Sequence, residues 1–212
     1  RTAVSIESVQ SYITVEGLDI SGGYRGLSIG GTGHIIRNNK IHHNNGSTGG
    51  NNNGGIVNIG SNYLYDFLIE NNEIYQNIDP SGGPDTCNGI HLYSCLNCTI
   101  HNNLMHDECG GIYFKSPLSG IGFFNIKVYN NTIYNLKWDA IKYGARGQTK
   151  NVTIYDNVIY NFTMIGIGPN TDSGESALDN ITVFHNVIDN KYLGHTIGDS
   201  CLYERTSTNV KW

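Results

Sequence analysis

The stretch KVYNNTIYN, residues 127–135, returns almost unchanged as TIYDNVIYN, residues 153–161. In both copies apolar and polar residues alternate, the alternation breaks at an asparagine, and it then resumes. Alternation with a period of two is typical of a β-strand, because successive side chains of a strand point to opposite faces. Each copy therefore predicts two short strands joined by a bend, at Asn131 in the first copy and at Asn157 in the second.

The same pattern recurs along most of the chain around six asparagines: Asn39, Asn72, Asn103, Asn131, Asn157 and Asn186. Successive copies are 33, 31, 28, 26 and 29 residues apart. An apolar residue lies three positions before each asparagine, and another lies two positions after it. A further copy at residues 13–20 has Leu18 in place of the asparagine, which makes about seven repeats.

One repeat cannot bury its own row of apolar side chains, so the repeats are expected to stack and share a core. An asparagine turned inward at each bend can bond to the coils on either side and satisfy buried polar groups. After a loop of variable length comes a third apolar alternation, usually following glycine: residues 26–29, 55–59, 89–93, 111–115, 140–144 and 164–168. Three short strands per repeat predict a parallel β-helix with an asparagine ladder.

This three-strand frame with its asparagine ladder resembles the right-handed β-helix superfamily, which includes pectate lyases and other polysaccharide-active proteins. The resemblance covers roughly residues 11–198, within a single predicted domain of residues 1–212 that ends in a tail at 199–212. It implies an all-β, right-handed solenoid in which the third strand of each coil lines a substrate groove. No catalytic motif of the superfamily matches residue by residue, so the resemblance carries over roles only.

Composition narrows the function classes. The formal net charge of −5 leaves no basic footprint for nucleic acid. Since no run of about 18 apolar residues occurs, we expect no membrane span. The chain begins at Arg1 rather than Met, which we interpret as a mature or trimmed product whose secretion signal would already be gone. We expect a secreted or cell-surface protein.

Five cysteines are present, and Cys87 and Cys109 precede the third strands of consecutive repeats. Stacked strands lie about 4.8 Å apart, which suits the Cα separation of a disulfide. We therefore favour a Cys87–Cys109 disulfide over the alternative of a metal site, since the C-x-x-C of Cys95 and Cys98 has no second ligand pair beside it. The partners of Cys95, Cys98 and Cys201 stay open, and the odd count leaves one thiol unpaired or bonded to another chain.

Six sequons are predicted acceptors for N-linked glycans if the protein is secreted: Asn45, Asn97, Asn130, Asn151, Asn161 and Asn180. A chain this rich in Asn, Ser and Thr also produces such triplets by chance.

The outward residues of the third strands form two columns when the repeats are aligned. One column is Ser28, Val57, His91, Tyr113, Lys142 and Gly166, and the other is Gly30, Ile59, Tyr93, Lys115, Gly144 and Gly168. His91, Tyr113 and Lys142 are thus expected to stack, with Tyr93 and Lys115 beside them and Arg146 in the following loop.

This cluster has the groups that β-elimination from a uronic acid requires. A base takes the proton at C5, and positive charge stabilises the adjacent carboxylate. By their position on the third strands, Lys142 or Lys115 is the predicted base, with Arg146 neutralising the substrate carboxylate. His91 and Tyr113 lie beside them, and Tyr93 is predicted to bind substrate. The resemblance supplies only the role, since related lyases use Lys or Arg as the base. It also implies a Ca²⁺ cofactor held by carboxylates, for which Asp107, Glu108 and Asp139 are the candidates. A glycoside hydrolase would instead use two carboxylates, such as Asp107 and Asp139, but the Asp-Asp and Gly-His-Gly signatures of β-helical polygalacturonases are absent.

Simpler interpretations stand beside the lyase hypothesis. A lysine on an exposed strand is usually only solvated, and a tyrosine on a solenoid face usually packs against its neighbour. About seven coils make a rod only about 34 Å long, and neither residues 1–10 nor residues 199–212 predict a capping element. The chain could therefore bind an acidic polysaccharide or glycan, or could be a structural solenoid that associates end to end, as a filament subunit, an adhesin or a piece of a larger protein.

Overall fold

The computed structural model describes residues 2–45, 53–58, 64–79, 83, 86–115, 122–144, 148–169, 178–189, 200–202 and 210–211. Every regular element in these residues is a β-strand. None of them forms a helix that is long and apolar enough to cross a membrane. In chain order the strands are β1 (Thr2–Ser5), β2 (Thr14–Glu16), β3 (Asp19–Ser21), β4 (Arg25–Ile29), β5 (Ile35–Arg37), β6 (Lys40–His42), β7 (Asn53–Asn58), β8 (Leu64–Tyr65), β9 (Leu68–Glu70), β10 (Glu73–Tyr75), β11 (Cys87–Leu92), β12 (Cys95–Leu96), β13 (Thr99–His101), β14 (Leu104–Glu108), β15 (Ile112–Phe114), β16 (Phe123–Tyr129), β17 (Thr132–Leu136), β18 (Ile141–Tyr143), β19 (Thr149–Tyr155), β20 (Val158–Tyr160), β21 (Ile165–Pro169), β22 (Leu178–Phe184), β23 (Val187–Asp189), β24 (Ser200–Leu202) and β25 (Val210–Lys211).

These strands form three parallel sheets, and each coil contributes one strand to each sheet. The first sheet has the order β2-β5-β9-β13-β16-β19-β22-β25, with β8 and β12 paired beside it. The second sheet, which follows the asparagine bend, is β3-β6-β10-β14-β17-β20-β23. The third sheet, which follows the variable corner, is β1-β4-β7-β11-β15-β18-β21-β24. The predicted β-helix with three strands per coil is confirmed.

The asparagine ladder runs inside the bend between the first and second sheets, as predicted. Asn131 shows the pattern: its Nδ2 donates to Oδ1 of Asn157 at 3.0 Å, and its own Oδ1 accepts from Nδ2 of Asn103 at 3.0 Å. The residue before the ladder asparagine adopts a left-handed backbone, with φ of 52° at Asn130 and 54° at Asp156. Asn and Asp tolerate this conformation better than other non-glycine residues. The ladder begins at Leu18, whose backbone N–H donates to Oδ1 of Asn39 at 3.0 Å.

A second, shorter ladder lies at the other end of the second sheet and was not predicted. Asn44 Nδ2 donates to Oδ1 of Asn77 at 2.8 Å, and Asn77 Nδ2 donates to Oε1 of Glu108 at 2.6 Å. The backbone pairs Glu108 with Leu136, so the ladder ends at Glu108. Both asparagines and Glu108 are buried.

The apolar rows predicted to point inward do form the core. The residues before and after the asparagines are buried at Ile36, Ile69, Ile100, Val128, Ile154, Val183, Ile41, Ile74, Met105, Ile133 and Ile159. Burial of one such side chain stabilises the fold by about 1.5–3 kcal/mol. The stack of identical rows is therefore the main source of stability for a chain whose separate coils could not fold alone.

The tyrosines in the repeated stretch stack outside the core. The ring centroids of Tyr129 and Tyr155 lie 4.8 Å apart on the first sheet, and those of Tyr134 and Tyr160 lie 4.8 Å apart on the second. The rings are nearly parallel in both pairs, at 11° and 2°. Because the rings stack along the rod axis, they cover one another's faces and support neighbouring coils.

The predicted disulfide between Cys87 and Cys109 is present and joins two adjacent coils, with a Cα–Cα distance of 5.5 Å. Cys95 and Cys98 form a second disulfide within one coil, with a Cα–Cα distance of 6.0 Å. The C-x-x-C segment is thus a buried crosslink, and not a metal site.

Candidate functional site

Three adjacent strands of the third sheet bring the predicted cluster together. The register pairs His91 of β11 with Tyr113 of β15, and Tyr113 with Lys142 of β18. Each of these residues lies between two inward-pointing apolar residues of its strand, such as Ile90 and Leu92 on either side of His91. The alternation therefore directs all three side chains away from the core, on consecutive coils, as the sequence predicts.

The side chains of the cluster are in mutual contact. The ring centroids of His91 and Tyr113 lie 5.0 Å apart, and His91 also stacks on Tyr93 with a centroid distance of 5.1 Å. Nζ of Lys142 lies 4.5 Å from the centroid of the Tyr113 ring. Nζ of Lys115 lies 5.8 Å from the centroid of the Tyr113 ring and 5.9 Å from that of the Tyr93 ring. Cation–π attraction holds both ammonium groups against aromatic faces.

Three of these residues are not open to solvent, contrary to the expectation of an exposed groove. His91 and Tyr113 are 0% exposed and Lys142 is 5% exposed. Tyr93 and Lys115 are partly exposed. Alternation decides which side of a strand a residue takes, but it carries no information on whether the rest of the chain covers that side.

Lys142 has a carboxylate partner that explains its burial. Its Nζ lies 2.9 Å from Oδ2 of Asp139, which is itself buried. The other oxygen of Asp139 accepts the backbone N–H of Ile165 at 3.0 Å. A paired carboxylate favours the ammonium form of lysine, whereas a general base must be neutral. Of the two lysines predicted as the base, Lys115 is the more exposed, since it is partly exposed whereas Lys142 is 5% exposed. Arg146 lies outside the described residues.

The three carboxylates predicted to hold a cation do not form a cation site. Glu108 ends the second ladder, Asp139 pairs with Lys142, and Asp107 accepts hydrogen bonds from His106 at 2.9 Å and from Asn135 at 2.9 Å. The hydrogen bond from His106 is the main cause that lowers the pKa of Asp107, whereas burial raises the pKa of Glu108 to about 8. Within the described part of the chain no group of three or more His, Cys, Asp or Glu residues could bind a metal ion. The predicted set does not fit Ca²⁺, because each of its members already serves another coil.

The predicted columns are out of register at their last coil. Lys142 pairs with Gly168, not with Gly166. Gly168, which the sequence aligns with Gly144, therefore lies beside Lys142 instead. A shift of two residues keeps every side chain on its face, so alternation alone could not detect this error.

Four of the predicted glycan acceptors use their amide nitrogen in ladders on the outside of the rod. Nδ2 donates from Asn97 to Asp66 at 3.0 Å, from Asn151 to Asn125 at 3.0 Å, from Asn180 to Asn151 at 2.8 Å and from Asn161 to Asn135 at 2.6 Å. Asn45 and Asn130 are exposed. Glycosylation of these six residues stays a prediction.

The comparisons with known proteins agree with the fold. The family model described as right handed beta helix region matches residues 2–210. Comparison with curated proteins and with solved structures found no match.

Proposed function

Because the chain belongs to the right-handed beta helix family, we propose that it is a secreted protein that acts on polysaccharides and binds a uronic-acid polymer at its third sheet. The two disulfides support an oxidising compartment, where such crosslinks persist. The observation that carries the proposal is the cluster on β11, β15 and β18. Its partly exposed members, Tyr93 and Lys115, offer an aromatic surface and a cation, which together suit a sugar that bears a carboxylate.

The reaction that this ligand permits is β-elimination, with Lys115 as the proposed base. The amine takes the C5 proton, the released electron pair forms the C4–C5 double bond, and the C4–O glycosidic bond breaks. The departing oxygen then takes up a proton from solvent or from a nearby acid. The buried Lys142–Asp139 pair has a positioning role in this proposal, since Lys142 fixes the Tyr113 ring against which Lys115 lies.

The proposal is tested with a panel of uronic-acid polymers, by following the ultraviolet absorbance of the unsaturated product. Lys115→Ala should reduce kcat by at least about 10²-fold, because general-base catalysis contributes about 10²–10⁴-fold. Lys127→Ala is the matched control, since Lys127 is an exposed lysine on the first sheet. Full activity of Lys115→Ala would place the base elsewhere, and a wild-type protein without product on any polymer would exclude the lyase.

A second candidate is a non-catalytic extracellular solenoid, and the burial of His91, Tyr113 and Lys142 favours it. In this proposal the cluster packs the third sheet, and the rod serves as a filament subunit or adhesin. Binding of a polymer without cleavage, or end-to-end association on electron-microscope grids, would support the solenoid.

A further inference from the structure

The second sheet carries two adjacent histidines on its outer side, at the end of β6. His42 is the last residue of this strand, and His43 follows it directly. Their Nδ1 atoms lie 2.7 Å apart in an exposed contact, and the two rings are nearly perpendicular, at 85°. Two imidazole nitrogens thus meet on the surface of the rod.

The left-handed backbone of His43 makes this contact possible. Neighbouring residues of a strand point to opposite faces, so their side chains normally cannot meet. With a φ of 51°, His43 departs from the strand conformation, and its ring turns back towards that of His42. The register pairs His42 with Tyr75, so Gln76, with a φ of 53°, takes the equivalent position in the next coil. The fold therefore accepts another side chain at this corner and does not require a histidine there.

The neighbours of His42 fix its ring and its tautomer. Nε2 of His42 lies 2.7 Å from Oδ1 of Asp19, and the ring stacks on Tyr75 with a centroid distance of 4.7 Å. A carboxylate can only accept, so in the neutral ring Nε2 carries the hydrogen and the lone pair is on Nδ1, which faces His43. Metal-binding histidines commonly donate their other N–H to a carboxylate in this way.

Another histidine of the same row lacks this arrangement. His106 lies two coils further along, beyond Tyr75. Its Nδ1 is 2.9 Å from Oδ2 of Asp107, and its Nε2 is 3.5 Å from Oε1 of Glu73. Both of its nitrogens face carboxylates, whereas His42 has one nitrogen beside a carboxylate and the other beside a second imidazole.

We propose that His42 and His43 bind a divalent copper ion through their two Nδ1 atoms, with water at the remaining positions. Two neighbouring nitrogens of a square-planar ion lie about 2.8 Å apart when each is about 2.0 Å from the metal, whereas a tetrahedral zinc ion separates them by about 3.3 Å. The observed 2.7 Å between the nitrogens therefore suits Cu²⁺ better than Zn²⁺.

Binding requires only a small change at the pair. The hydrogen on Nδ1 of His43 moves to its Nε2, and the exposed ring turns until both lone pairs point at the ion. Asp19 keeps its hydrogen bond to His42 and offsets part of the charge of the metal. The site has two protein ligands, fewer than the clusters of three or more excluded above. It lies on the second sheet and does not depend on the proposed function.

The test is a calorimetric titration of Cu²⁺ into the protein without an affinity tag. Cys201→Ser serves as the background, because a thiol outside the two disulfides would also bind copper. We expect one ion per chain. The electron paramagnetic resonance spectrum of the complex should show a tetragonal Cu²⁺ that is coupled to two nitrogens.

His43→Gln is the sharpest variant, because Gln76 shows that glutamine fits this backbone. His43→Gln and His42→Gln should each weaken binding by about 10²-fold or more, since a chelate becomes a single ligand. Asp19→Asn should weaken binding by about 10- to 100-fold, as expected when the partner of a metal-binding histidine is lost. The thermal midpoint of each variant without copper checks that it is folded.

His185→Gln is the matched control, because His185 is also exposed and lies 3.7 Å from a carboxylate oxygen of Asp156. This variant should leave the affinity unchanged. An equal loss in His185→Gln and His43→Gln would mean that copper binds scattered surface histidines, and it would overturn the site. Wild-type affinity of a folded His43→Gln, or a spectrum with fewer than two coupled nitrogens, would overturn it as well.

Discussion

Glu108 places a carboxyl group where Asn44 and Asn77 place amides. In the ladder, Nδ2 of Asn77 also donates to the carbonyl of Ile41 at 2.9 Å. The corresponding atom of Glu108 is Oε2, which is buried and has no partner among the described residues. An ionised carboxylate would need donors at both oxygens, and none of the described residues donates to Oε2. The geometry and the pKa raised by burial to about 8 therefore both favour neutral Glu108 in the folded protein.

Glu108→Gln should make the protein more stable at alkaline pH and change little in acid. The pKa of Glu108 is raised from 4.5 to about 8 on folding, so its stabilising contribution is present below pH 4.5 and is lost as the pH rises through 8. Glutamine keeps a donor and an acceptor at all pH values. The thermal midpoint of the variant should exceed that of the wild type by a gap that widens between pH 4.5 and 8 and corresponds to a few kcal/mol.

The control for this prediction is Glu7→Gln, which changes an exposed carboxyl group. It should alter the pH profile of the thermal midpoint far less than Glu108→Gln. A constant gap across the whole pH range would mean that Glu108 ionises normally in the folded state.

The sequence contains a pattern that predicts the second ladder: a polar residue five positions after a ladder asparagine. Asn44, Asn77 and Glu108 each lie five residues after a ladder asparagine, at Asn39, Asn72 and Asn103. The same offset from Asn131 and Asn157 gives Leu136 and Phe162, so the polar series stops there. The sequence analysis instead predicts Glu108 as a metal ligand with Asp107 and Asp139, because all three carboxylates precede third strands. The first ladder was predictable because its asparagine recurs in every later coil within a constant apolar frame.

Within the third sheet, the Lys142–Asp139 pair offers a test of packing against catalysis. Lys142→Met should destabilise the fold by about 3–5 kcal/mol, because it leaves the buried carboxylate of Asp139 unpaired. The double variant Lys142→Met with Asp139→Asn should cost much less, since asparagine has no charge and can still accept from the N–H of Ile165. Urea unfolding of both variants measures the difference.

Activity of the same variants separates the two roles of Lys142. If Lys142→Met keeps wild-type stability but has a lower kcat, the buried pair is not structural. Lys142 would then be the candidate general base in place of Lys115. A large loss of stability that the double variant recovers would confirm the packing role.

For the strands, the sequence predicts the side of the sheet on which a side chain lies better than it predicts which residue lies beside it on the next coil. His91, Tyr113 and Lys142 were placed on consecutive coils because a strong apolar alternation surrounds each of them. The predicted alignment of the last coil is wrong by two residues because apolar residues and glycine alternate within residues 164–168. A shift of two residues leaves every side chain on the same side of the strand. The register there follows from the length of the corner: two residues, Lys137 and Trp138, separate Leu136 from Asp139. The next coil repeats that length, which makes Ile165 the equivalent of Asp139.

For the whole molecule, the two disulfides should contribute unequally to stability. Cys87 and Cys109 are 22 residues apart, and Cys95 and Cys98 are 3 apart. By loop-closure entropy the longer loop stabilises the fold by about 3 kcal/mol and the shorter by about 1.5 kcal/mol. The double variant Cys87→Ala with Cys109→Ala should thus lower the free energy of unfolding about twice as much as Cys95→Ala with Cys98→Ala.

The two double variants are matched controls for each other, because all four cysteines are 0–1% exposed and each pair loses two buried sulfur atoms. Chemical denaturation without reductant gives both values. A larger effect from the short loop would show that strain or packing, and not chain entropy, sets the contribution.

The bridge between Cys87 and Cys109 also determines how the rod would respond to force. All strand pairs in the described residues are parallel and join neighbouring coils, so their hydrogen bonds point along the rod. Pulling on the two ends would therefore break the hydrogen bonds between one pair of coils at a time. A covalent tie between two adjacent coils cannot open in this way. The 22-residue span that it closes would stay short under tension, and reduction would release up to about 75 Å of extra length at about 3.4 Å per residue. The crosslink would thus act as a tether that a reducing environment can cut, making the extensibility of this protein depend on its redox surroundings.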